Sequence, residues 1–213
     1  MNPPPPPTNL DDLSRKWRAL ARELGLSDAQ AEPLLADLSV HYRGRPYHNL
    51  SHILSLLHLA DHFAAQAHDF AALRLAIWYH DLIYDPAASD NESRSAAYMR
   101  ATLSNLVPPQ TLARAATWIE ATTHRAAADD PDARLLQDLD LSILAAAPDS
   151  YRRYQQAIRQ EYAHVPDALY RLGRRQVLQN FLARARIFLT DALAPLETAA
   201  RQNLQAELDE LSA

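Results

Sequence analysis

Glycine stands at only three positions of this chain, Gly25, Gly44 and Gly173. Tight hairpins draw on glycine for backbone angles that other residues resist, and a loop that cradles phosphate through its main-chain N–H groups needs several. Sheet-rich folds and glycine-loop nucleotide folds therefore lose their main building material. Alanine, leucine and arginine are abundant instead, and these residues lose little on entering a helix. The expectation is an all-α chain, a single-domain helical bundle over residues 9–213. It follows a Pro-rich lead, "MNPPPPPT", over residues 1–8, which should be disordered or polyproline-like.

Apolar spacing places the elements. Trp17, Leu20 and Leu24 recur at helical intervals and predict a helix over Leu10–Leu24, with Gly25 just past its end. "SDAQ", Ser27 to Gln30, has the form of a capping box opening a second helix that reaches about Tyr42. Gly44 and Pro46 break the chain in "RGRPYHN". Further helices are expected over Leu50–Ala67, Phe70–Leu82, Glu92–Leu106, Pro108–His124, Leu135–Ala146, stopped by Pro148, and Tyr151–Tyr162. Two long ones close the chain, Asp167–Leu193 and Leu196–Leu211. No internal repeat or linker interrupts them.

Several classes are disfavoured. The formal net charge of -5 supplies no basic field for nucleic acid. There is no cysteine, so any metal must sit on His, Asp, Glu or water. No N-terminal basic segment followed by an apolar run is present, and no apolar run reaches spanning length. A cytoplasmic protein without a membrane partner is expected.

One stretch conflicts with its surroundings. "LAIWYHDLIYD", Leu75 to Asp85, reads as a buried helix, yet carries His80, Asp81 and Asp85. Neighbours on a helix point about 100° apart, but near a helix end both can converge on one ion. An imidazole and a carboxylate make a mixed nitrogen and oxygen site suited to Mn, Fe, Co, Ni or Zn, with Mg an option. The bland alternative is a core histidine bonded to a carbonyl, with Asp81 capping a turn. Upstream, "YHNLSHI" sets His48 and His52 one turn apart. Downstream, "LLQDLDLSIL" embeds Asp138 and Asp140 in apolar sequence, which is costly unless they are paired, bound to metal or exposed. Two apart, they face different ways.

In the order His, His-Asp, Asp, with these flanks, the chain resembles the HD superfamily of metal-dependent phosphohydrolases, a helical fold. The likeness includes a bacterial subfamily of predicted HD phosphohydrolases of about this length, matched at "YHNLSHI", "YHDLIYDP…DNE.RSA" and "IRQEY…Y..GR..VL". It spans roughly Tyr42 to Asp191. The resemblance implies one divalent metal held by His52, His80, Asp81 and Asp140, with His48 set aside in favour of His52, and with Asp138 a rival for the last position. It implies metal-activated water attacking a small phosphate ester, with nucleotides among the candidates. Related guanosine tetraphosphate hydrolases carry an acidic pair after the His-Asp dipeptide. Here Tyr84 takes the first of those places and only Asp85 matches.

Beside Asp81, the catalytic candidates are therefore Asp85 and Glu92, to position water or protonate the leaving group. Capping of a loop by Asp85, and a helix first turn at Glu92, are the plain alternatives. His48, His124, Arg125 and Arg175 are candidates to meet substrate. Arg159 and Arg174 are further candidate phosphate clamps on the strength of the guanidinium fork, with one of the four arginines expected to serve and the others solvated or paired with Glu. Tyr154 and Tyr162 could stack on a base or simply pack. Two other classes stay open: a di-iron oxygenase on the same fold, and a non-catalytic ligand-binding module stabilised by its metal. A homodimer is also compatible.

Overall fold

The computed structural model describes residues 9–212. The expectation for the Pro-rich lead falls outside them. Among the described residues there are ten α-helices and three short 3-10 turns, with no strand, so the chain is all-α. It divides into two compact units, Met1–Thr123 and His124–Ala213.

The first unit contains α1 (Leu10–Glu23), α2 (Asp28–His41), α3 (Leu50–His62), α4 (Phe70–Tyr79), α5 (Asn91–Leu103) and α6 (Pro109–Ala121). Asn9 caps α1 by accepting from the Asp12 N–H at 3.1 Å. Gly25 turns the chain at φ 86°, where a side chain would be strained. The Ser27–Gln30 capping box then opens α2. The Trp17 indole ties the two helices together by donating to the Ala31 carbonyl at 2.8 Å. Helix α4 is apolar except at Arg74, which pairs with Glu23, and Leu73, Leu75, Ala76, Ile77 and Trp78 are fully buried. A helix of that kind belongs in the middle of a bundle, and α4 packs against α1, α3, α5 and α6. Truncating Leu73 to Ala should cost about 2–5 kcal/mol.

Four helices of this unit, α3 to α6, end earlier than their apolar pattern suggested. Helix α3 stops at His62 and gives way to a 3-10 turn, Ala64–Gln66. Helix α4 stops at Tyr79, with His80 as its C-cap. The carbonyls left over at that end find side chains from elsewhere. The Tyr42 hydroxyl donates to the Trp78 carbonyl at 2.9 Å, and Arg45 donates to the carbonyls of Asp81 and Leu82.

The second unit contains α7 (Pro131–Leu141), α8 (Pro148–Glu161), α9 (Asp167–Leu182) and α10 (Glu197–Glu210). Helix α7 begins four residues before the expected start because Asp130 caps it and Pro131 takes its first turn. Pro148, read in the sequence as a stop, likewise opens α8. Helix α9 ends eleven residues short of the expectation. A strap over residues 183–193 follows it, and the strap buries Ile187 and Phe188 completely. Arg201 donates to the carbonyls of Leu182 and Arg184 at 2.9 and 2.7 Å. Glu197 accepts from the Ile187 and Phe188 N–H groups. These charged contacts satisfy backbone that a helix would have satisfied internally. Among the described residues, no helix is long and apolar enough to cross a membrane.

Candidate metal centre

In the first unit, α3 and the end of α4 bring His52, His80 and Asp81 together. One ligand atom from each lies within 4.8 Å of the others. His80 is 1% exposed and its Nδ1 stands 3.0 Å from the Ile77 carbonyl. A carbonyl only accepts, so Nδ1 carries the proton. In the neutral ring Nε2 then holds a lone pair, and it faces Oδ2 of Asp81 at 3.0 Å. A lone pair and a carboxylate oxygen attract at that range only with a proton or a cation between them. Nε2 of His52 lies 3.6 Å from the same oxygen, and the two imidazole rings are 5.4 Å apart. Two imidazoles and a carboxylate, one ring oriented by a backbone carbonyl, are the donors and the supporting contact that a borderline divalent ion takes. This His/Asp cluster could hold a metal ion.

The turn carrying Asp81 is fixed from three sides. Arg45 grips the carbonyls of Asp81 and Leu82. The buried Ser95 hydroxyl accepts from the Ile83 N–H at 3.0 Å. Asn91 brackets Asp85, accepting from its N–H at 3.0 Å and donating to its carbonyl at 2.9 Å. The "DNESRSA" segment thus has a structural task in holding this turn. Burial pushes the Tyr42 phenol well up, and the nearby Asp81 carboxylate pushes it the same way. It remains a protonated donor at the helix end.

In the second unit, Nε2 of His124 lies 2.7 Å from Oδ2 of Asp140, so the imidazole N–H donates to the carboxylate. His124 adopts φ 53°, the left-handed region that few residues other than glycine occupy. Asp138, two residues before Asp140, is fully buried and accepts from the Leu189 N–H, the Thr190 N–H and the Thr190 hydroxyl at 2.7, 2.7 and 2.6 Å. Burial pushes its carboxyl up in spite of these donors. Asp138 anchors the strap, while Asp140 engages the histidine.

The other candidates differ in surroundings. The exposed carboxylate of Asp85 accepts from the Ala87 N–H at 2.9 Å and closes a turn. Glu92 sits half-buried in the first turn of α5. The His48 ring stacks on Tyr84 at 4.2 Å and lies 6.1 Å from the ring of His52. Arg125 is exposed and Arg175 half-buried. Arg174 is committed to a bidentate pair with Glu207 at 2.6 and 2.9 Å. Arg159 donates to the Tyr162 carbonyl and pairs with Asp167. Tyr154 packs against Tyr151 and beneath Arg174. Tyr162 lies between His164 and Tyr170.

The sequence reading missed Arg45 and Ser95. Arg45 had a legible signal, since a cation in the Gly44–Pro46 break lies three residues before His48. Compared with protein-family models, with curated proteins and with solved structures, the chain finds no match.

Proposed function

We propose that the chain is a metal-dependent phosphohydrolase of the HD type, acting on a small phosphate ester in the cytoplasm. In this reading His52, His80 and Asp81 hold one divalent cation and Asp140 supplies the fourth ligand. The observation that carries it is the approach of the His80 Nε2 lone pair to the Asp81 carboxylate, with His52 beside them. The ligand-grade character of Asp140 and the family resemblance support the fourth position.

The chain's own contributions follow from its contacts. The Ile77 carbonyl sets the tautomer of His80 and aims Nε2 inward. Arg45 holds the Asp81 backbone, so the carboxylate stays in place when the charge beside it changes. When bound, a divalent cation would lower the pKa of its water towards neutrality and polarise a phosphoryl group. Asp85 and Glu92 are the acids following Asp81 that would orient water or return a proton to the leaving group. His48, stacked on Tyr84, would face the substrate, and His124 would steady Asp140.

The test is phosphate release from a panel of phosphomonoesters and nucleotides by the full chain with Mn, Co, Ni or Mg, beside Asp81→Ala. Metal-dependent release in the parent, absent from a folded Asp81→Ala, is expected. Bound metal with no release from any ester would favour the ligand-binding module instead.

A further inference from the structure

The strap over residues 183–193 is pinned more heavily than a connection requires. Asp138 holds its far end at Leu189 and Thr190. Glu197 holds Ile187 and Phe188. Arg201, itself paired with Glu197 at 2.7 Å, holds Leu182 and Arg184 by their carbonyls. From this fixed backbone the half-buried Arg184 side chain passes over the Phe181 ring at 4.5 Å. It ends by donating from Nη2 to the carbonyl of His124.

His124 is one of two non-glycine residues with positive φ among the described residues, the other being Asn105. Asn and His enter that region more often than other side chains, but for any residue with a Cβ it carries a cost and persists where the surrounding structure holds it. The Arg184 guanidinium, a permanently charged donor, meets the His124 carbonyl at this point. The contacts close a ring. Helix α7 grips the strap through Asp138, the strap grips His124 through Arg184, and His124 returns to α7 at Asp140.

We infer that Arg184 is a positioning residue, which holds His124 in its left-handed conformation so that Nε2 orients the Asp140 carboxylate. Its bearing on a metal rests on the reading in which Asp140 is a ligand. Its bearing on His124 does not. Partners that orient metal ligands typically change affinity by about 10–100-fold when removed.

The experiment compares the full chain with Arg184→Ala, Arg184→Lys and Arg186→Ala. Arg186 also lies on the strap, but bonds to Thr190 and Asp191 at its exposed side. Two readouts are taken. The imidazole nitrogen signals of His124, assigned by their loss in His124→Gln, are recorded without metal. Co(II) is then titrated, reading affinity and the visible spectrum. Arg184→Ala should shift the His124 signals, weaken Co(II) binding about 10-fold and alter the spectrum. Arg184→Lys should recover part of each, and Arg186→Ala should match the parent. Should Arg184→Ala not fold, Arg184→Lys carries the comparison. Unchanged His124 signals in a folded Arg184 variant would overturn the inference. A parent that binds no Co(II) would defeat the metal reading alone, with the His124 signals still deciding the role of Arg184.

Discussion

Glu207→Ala should be among the most damaging substitutions in the second unit. Glu207 is 5% exposed on α10. It accepts two hydrogen bonds from Arg174 at 2.6 and 2.9 Å and a third from the hydroxyl of the buried Tyr151. Burial pushes the Tyr151 phenol up and the carboxylate adds to the effect, so tyrosine donates here and does not ionise. Removing the carboxylate leaves a guanidinium that is itself 9% exposed without its counter-charge. Breaking one side of a buried pair costs about 3–5 kcal/mol, a large share of the roughly 5–15 kcal/mol that stabilises a typical protein. With a urea slope near 2 kcal/mol/M, the unfolding midpoint should fall by about 2 M at unchanged slope. The double variant Arg174→Met with Glu207→Leu removes both charges and keeps the volume, so it should cost less than Glu207→Ala alone. A loss below about 1 kcal/mol for Glu207→Ala, the range of exposed pairs, would refute the argument that this network is dry.

Further outcomes follow from single contacts. Asp138→Asn should lower stability by about 2 kcal/mol, because one of its oxygens becomes a donor facing N–H groups; Asp140→Asn should leave the melting temperature nearly unchanged while reducing metal uptake, and calorimetry with metal analysis separates the two. Arg45→Ala should weaken metal binding about 10-fold with little effect on helix content, as titration with Co(II) would read. Burial pushes the Glu197 carboxyl up, but the N–H groups of Phe188 and Ile187 and the Arg201 guanidinium outweigh it and hold the group below its usual 4.5. A depressed acid contributes stability that is complete above its unfolded value and lost as pH falls through the folded one. Exchange protection of the Ile187 and Phe188 amides should therefore decline on acidification below about pH 4.5, and Glu197→Gln should abolish that decline. Asp138, raised above 3.8 by burial, works in the opposite sense, its contribution fading as pH rises through its raised value.

How far the sequence carried depended on the range of the forces involved. Scarce glycine and regular apolar spacing were enough for an all-α chain, and the Ser27–Gln30 cap was legible because capping acts over three residues. Helix ends were less so. The apolar pattern runs through Leu82, but α4 stops at Tyr79, where side chains from more than thirty residues upstream take over: Tyr42 meets the Trp78 carbonyl, and Arg45 those of Asp81 and Leu82 in the turn beyond. His80 still keeps helical angles and bonds back to the Ala76 carbonyl, and Asp81 in the turn that follows places Oδ2 3.0 Å from its Nε2 and 3.6 Å from that of His52. The strap was mistaken for helix because Ile187 and Phe188 fall at core-like spacing. Its actual supports, Asp138, Glu197 and Arg201, lie on other elements. The same long reach explains why the sequence favoured Asp140 as a ligand only through the family resemblance and left Asp138 a rival. Two aspartates in one apolar helix differ only in what stands opposite, and that is the strap for one and His124 for the other.

The most direct test of the account is the metal content of the purified full chain, measured by elemental analysis beside a folded Asp81→Ala variant. The account predicts about one divalent ion per parent chain and a substantial loss of it in the variant. A parent with no bound metal after incubation with Mn, Fe, Co, Ni, Zn and Mg would contradict it.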